Sequence, residues 1–391
     1  MLALRLARGA HPGVQVRRLL VAAASAGTGF LLLCTLAYAM RYPGTGSVLR
    51  LAWCVAPIAA TVYFAVAVAR TDPGTRPRPG LSAVGLGPGR LMVLAGISTA
   101  VACALGSLVA LLFFLHLRGD LSGLPFDGAA AGLLAADRPL PLAAALTLLT
   151  VVPLAASAAS ATALRPRPGK AGARPRGDEG AEEPAAPAPA PSGLPWGVAL
   201  LAAGLAVETY ASGSGSVAGA GFRVPGGASG ASAGVLAGWA LTALGLALAG
   251  PGLTYLCGRV LQAVRPGAMR LLAGRVLQEE ARRIGRPLGV LCAVASGAYA
   301  SVVLYAGPLP GVGPLTALGA LLVAGCAVLT LATTAVEARQ SRAHTTAALL
   351  RLGAPATMLR GSVVLRAGTL TAVFAPLTWL VAELAALPLG P

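Results

Sequence analysis

The 391-residue sequence predicts an all-α, polytopic membrane protein, with about nine transmembrane helices in two parallel repeats and short cytoplasmic helices in its loops. Three observations carry this expectation. Nine long apolar stretches alternate with short, arginine-bearing loops. Charged residues make up 11% of the chain and hydrophobic residues 56%, against roughly 25% charged in soluble domains. A set of arginine and glycine positions also recurs in the two halves at matching spacing.

The first stretch, Leu19–Met40, carries no charge across 22 residues. About 20 apolar residues are needed to cross a bilayer core, where only a helix or closed barrel satisfies its own backbone. Spans are expected at about 19–40, 48–69, 91–117, 140–163, 194–211, 233–257, 287–305, 315–336 and 363–387. With the N-terminus inside, 24 of the 30 basic residues fall on cytoplasmic segments. Arg41, Arg50, Arg118, Arg138 and Arg223 lie outside, and Arg366 within the last span. This asymmetry is the positive-inside rule. It places the chain in the plasma membrane as a multi-pass protein with a cytoplasmic N-terminus. It also reassigns the net charge of +17 from nucleic acid to the bilayer. The first apolar run exceeds a signal-peptide core of 7–15 residues, so it reads as a span.

Cys34, Cys54, Cys103, Cys257, Cys292 and Cys326 all fall within or beside spans, where small core residues are expected rather than disulfides. His11, His116 and His344 lack ligand spacing, so no metal is expected.

Residues 165–193 are rich in Pro, Ala and Gly, with a basic half before an acidic one. Such a stretch cannot bury enough apolar surface to fold. The expected organisation is a first half of four spans over 1–163, a linker over 164–193, two connecting spans over 194–257, and a second half over 258–391 with three spans. The outer loop 211–232 is Gly- and Ser-rich and reads as flexible.

The repeat is visible in the basic residues. Arg5 is followed by Arg17-Arg18 and a span; Arg270 is followed by Arg282-Arg283 and a span. Each copy then has an outward span, an inward span ending near Arg70 or Arg339, and a loop with Leu86-Gly87-Pro88 or Leu352-Gly353-Ala354. Arg5 to Gly87 is 82 residues and Arg270 to Gly353 is 83. Both copies start inside, which makes the repeat parallel. Before the seventh span, 268–286 has Met269, Leu272 and Val276 at helical spacing among arginines. It reads as a separate amphipathic helix in the headgroup plane.

The second half, from Arg270 through VEARQSRAHTTAALLRLGAPATMLRG, resembles the FtsX-like permease domain of ABC transporters. The resemblance rests on an amphipathic helix before the first span and on Arg339, Arg342, Leu349, Leu350, Arg351, Leu352, Gly353 and Ala354 in order between the second and third. The first half looks like a more degenerate copy, with Arg70, Arg76, Arg78, Leu86 and Gly87. The resemblance implies a membrane-spanning subunit without enzymatic activity or cofactor. A separate ATP-binding cassette subunit, in two copies, would drive export or release of an amphipathic substrate, or transmembrane signalling. It also implies that Leu349, Leu350 and Leu352 dock on that subunit, with Arg342 and Arg351 at the rim. The chain departs from the pattern at Arg366, where a carboxylate is common, and in its short outer loops at 41–47 and 306–314.

In the loop itself, Gly353 is placed to end a short helix as a left-handed residue. The only lysine, Lys170, lies in the linker outside any P-loop pattern, so nucleotide chemistry belongs to another chain. Glu208, Arg366 and Glu383 are the intramembrane polar residues, each near a span end and within reach of an interface. The alternative function is a stand-alone secondary carrier or membrane scaffold. The sequence does not name a substrate.

Overall fold

The computed structural model describes residues 12–72, 88–121, 127–165, 190–213, 221–222, 231–263, 267–304, 314–351, 353 and 355–386. The chain is an all-α polytopic membrane protein. Among the described residues, eight helical segments are long and apolar enough to cross a membrane. Their apolar residues lie on lipid-facing as well as buried sides: Val93, Ile97, Leu105 and Leu112 are all exposed on one helix. That distribution suits a helix immersed in hydrocarbon rather than in water.

The chain divides into two compact units: Met1–Ala181 with Leu315–Cys326, and Glu182–Pro314 with Ala327–Pro391. In the first unit, α1 (Pro12–Arg41) packs against α4 (Pro88–Arg118) and α5 (Leu142–Ala163). The second expected span is two helices, α2 (Thr45–Trp53) and α3 (Val55–Thr71), divided at Cys54. Pro57 has no N–H to offer the Trp53 carbonyl four residues back, where the break falls. Leu33, Phe114 and Leu149 form the main core, and Phe30 packs on Phe113 and Phe114 at 5.5 and 6.4 Å between ring centres. Hydroxyls tie helix to helix: Ser25 Oγ donates to the Cys103 carbonyl at 2.9 Å and Ser107 Oγ to the Leu149 carbonyl at 3.1 Å. At Gly106 an added Cβ would lie 2.2 Å from the Ala22 carbonyl oxygen, so only glycine permits this approach of α4 to α1.

In the second unit, α6 (Gly193–Gly213) and α7 (Ala233–Ala263) pack along their lengths, and α7 packs as extensively on α8 (Ala268–Leu304). The strands β1 (Gly221–Phe222) and β2 (Ala231–Ser232) form one short antiparallel pair in the loop expected to be flexible. The expected connecting spans therefore belong to one compact unit with the second half. Two further helices, α9 (Pro314–Ser341) and α10 (Ala343–Arg351), lead to α11 (Ala356–Ala386), which packs on α8.

The amphipathic stretch 268–286 is not a separate interfacial helix. It forms the first half of the continuous helix α8 and lies against α7. Its buried side is Ala273, Leu277 and Ala281, at i, i+4 and i+8, whereas Met269 is exposed. Glycines explain the difference. A Cβ on Gly250 would meet the Gly285 carbonyl oxygen at 2.1 Å, and one on Gly258 the Gly274 oxygen at 2.7 Å. Such glycine seams let two backbones touch, and a helix held along a partner cannot also lie apart in the headgroup plane.

All six cysteines are buried and none forms a disulfide.

Candidate functional site

Two ion pairs mark corresponding helix ends in the two units. In the first, the Arg18 guanidinium near the start of α1 meets the Asp72 carboxylate just after α3, at 2.5 Å. In the second, Arg283 on α8 meets Glu337 near the end of α9, at 3.8 Å. Each acid is largely sheltered, with side chains 12% and 18% exposed, while each arginine is about half open to solvent. Beside the first pair lies a cavity of about 20 Å³ lined by Arg18, Asp72, Val68, Ser98 and Thr99, room for one water molecule.

The second unit has an additional tie. Arg342, in the one-residue gap between α9 and α10, pairs with Glu280 on α8. Burial and the neighbouring Arg366 charge lower the Arg342 guanidinium from its ordinary value to about 10, with Glu279 acting the other way. A guanidinium does not give up its proton in proteins, so Arg342 remains a cation at neutral pH. Within the chain, the side chain is engaged by Glu280 and remains partly exposed. Arg366 donates through Nε to the Ser362 carbonyl at 3.2 Å, one turn back on its own helix.

The loop helix α10 exists, and its end is as expected. Gly353 has φ +86°, and its N–H donates to the Leu350 carbonyl at 3.1 Å. Leu350 and Arg351 on this helix are exposed, as is Arg339 at the end of α9. A surface leucine beside an arginine on a short helix offers apolar contact and a cation together. Leu349 lies within α10, but its side chain falls outside the described residues, as do Leu352, Arg76, Arg78, Leu86 and Gly87.

Of the intramembrane polar residues, Glu383 accepts a 2.8 Å hydrogen bond from Tyr299 Oη, joining α11 to α8. Glu208 differs from expectation. It does not reach toward an interface but is fully buried between α6 and α7, where Gly204 and Gly238 bring the helices together. Among the described residues, neither of its oxygens has a hydrogen bond of normal geometry, although the Trp239 indole N–H lies close to it, and Thr242 Oγ1 has none. Among the described residues, no group of three His, Cys, Asp or Glu side chains has metal-holding geometry.

Comparison with family models, curated proteins and solved structures finds no match. Functional interpretation therefore rests on the chain's own residues. Sequence reading located both arginine pairs and the loop helix but missed the acids they meet. A signal was present: Asp72 and Glu337 each lie 54 residues after the second arginine of a pair.

Proposed function

We propose that this chain is the membrane-spanning permease subunit of an ABC transporter of the FtsX-like kind. In this reading it lies in the plasma membrane with its N-terminus in the cytosol. It couples ATP hydrolysis by a separate ATP-binding cassette subunit to movement of an amphipathic substrate or to signalling. The observation that carries the reading is α10. This short helix leaves Leu350 and Arg351 exposed, ends at a left-handed glycine, and begins beside an ion-paired helix end. Such a loop is suited to transmit the movement of a docked partner into α8 and α9. The stretch 76–90 holds the same place in the first copy of the sequence repeat, so one chain supplies two docking segments, one for each copy of the partner.

The test is affinity capture of the tagged full chain from membranes of its own cells. The intact protein is expected to bring down an ATP-binding cassette protein. Burying a leucine is worth about 1.5–3 kcal/mol and a rim ion pair roughly 0–1 kcal/mol. Leu349→Asp with Leu352→Asp should therefore release the partner, whereas Arg351→Ala should weaken it only modestly. Capture unaffected by the double substitution would refute the docking assignment.

One observation favours the alternative, a stand-alone carrier. Glu208 is a fully buried carboxyl in a span, and such residues often mark substrate or ion pathways. Transport without any captured ATPase, abolished by Glu208→Gln, would put that reading first.

A further inference from the structure

We infer that Arg18–Asp72 and Arg283–Glu337 are two copies of one ion pair, and that these four are positioning residues which set where each loop leaves its helix. The inference rests on the permease reading only for the use to which the loops are put.

Register is the first observation. Arg283 and Glu337 are separated by the same 54 positions as Arg18 and Asp72. Each also stands 265 positions after its counterpart, taking 283 from 18 and 337 from 72. The same offset relates Arg17 to Arg282 and Arg5 to Arg270. An offset shared by arginines alone could reflect an Arg-rich composition. An offset that also carries each arginine's acidic partner, across a 54-residue separation, matches four positions rather than two and joins residues that meet in space.

Placement is the second. Asp72 directly follows α3, and Glu337 lies one turn before the end of α9 at Ser341. In both units the arginine belongs to the first helix of the repeat and the acid to the exit of the second. Each pair links the exit of the second helix to the first; α1 and α3 also pack on each other, whereas α8 and α9 share few other contacts among the described residues. The acids are the sheltered members and the arginines the open ones. The carboxylate stays seated at the helix end, while the arginine reaches over from the neighbouring helix.

The third is the difference between the copies. Counterparts of Glu280 and Arg342 at the same offset are Gln15 and Pro77, which carry no charge. The Arg342–Glu280 tie thus belongs to the second copy alone, whereas the 54-residue pair is common to both. The shared element is the one to which a general role in the repeat attaches.

Proteolysis provides a partner-independent readout: trypsin cuts after Arg351, and thermolysin before Leu81 and Leu86, because Arg76 and Arg78 each precede a proline and resist trypsin. In the purified full chain in detergent, Arg283→Glu should raise cleavage after Arg351 roughly two- to five-fold, the range that a partly exposed ion pair supports. The swap Arg283→Glu with Glu337→Arg should return it to the native rate. Arg18→Asp should likewise raise thermolysin cleavage before Leu81 and Leu86, and adding Asp72→Arg should reverse it. Cleavage in the 165–193 linker serves as an internal reference that none of these changes should move. Unchanged loop cleavage in the single variants overturns the inference. So does a swap that fails to restore the rate, aggregation included. Capture of an ATP-binding cassette protein is scored separately. Rescue by the swaps with no captured ATPase would uphold the positioning role and refute the permease reading. Capture in all variants with unmoved cleavage would do the reverse.

Discussion

The two units share both kinds of helix contact, side-chain cores and glycine approaches, but in different proportion. The first fills the space between α1, α4 and α5 with large side chains, Leu33, Phe114 and Leu149, none more than 5% exposed. The second removes side chains from the contact: Gly250 faces Gly285, Gly258 faces Gly274, and Gly289 faces the Leu246 carbonyl. In lipid there is little hydrophobic drive for helix association, so packing contacts and hydrogen bonds must supply it. Interlocked large residues and bare backbone seams are two solutions to that problem. The first is vulnerable to removing atoms and the second to adding them.

That contrast sets the order of the expected effects. Phe114→Ala should destabilise the first unit most, by about 3–5 kcal/mol, the usual range for emptying such a site. It would be read as a fall in unfolding temperature or in denaturant midpoint. Gly250→Ala should cost about 1–3 kcal/mol, because its new methyl would press on the Gly285 carbonyl at 2.1 Å and the backbones must part. Gly297→Ala on the adjacent α8 has nothing within 4 Å of the new Cβ, and should be neutral or stabilising by up to about 1 kcal/mol. If Gly250→Ala and Gly297→Ala behaved alike, the seam would not be what joins α7 to α8. Ser25→Ala should cost about 0.6 kcal/mol, the typical worth of a hydrogen bond between helices in a membrane. Glu280→Gln, at a partly exposed pair, should change stability by no more than roughly 1 kcal/mol, yet raise tryptic cleavage after Arg351.

Much of this was legible in the sequence, for identifiable reasons. A charge-free run such as Leu19–Met40 can hardly be anything but a span, because backbone groups in hydrocarbon have no other partner. Gly353 announced its left-handed turn because it follows leucines at helical spacing and precedes a proline. The amphipathic stretch before Pro287 misled, since the same pattern of arginines and leucines suits a headgroup-bound helix and the exposed side of a paired one. Gly274 and Gly285 held the distinguishing information, but a glycine seam becomes visible only when the partner's glycines are known to face it. Glu208 was misjudged for a related reason. Its position near a span end gives depth along the helix, while its burial depends on Gly204 and Gly238 drawing α7 across it. The Arg342–Glu280 pair was not legible because nothing in a linear reading places Glu280, 62 residues earlier, beside Arg342.

The claim that both units close the same end of the repeat with the same pair has one direct test. Asp72→Cys and Glu337→Cys can be introduced separately into a chain whose native cysteines are shielded by burial. Each is then exposed to a membrane-impermeant thiol reagent in intact cells and in inverted vesicles. Both should react in inverted vesicles and in neither case in intact cells, placing the two acids on the cytosolic side. Labelling of the two positions from opposite sides of the membrane would contradict the parallel repeat and the shared ion pair with it.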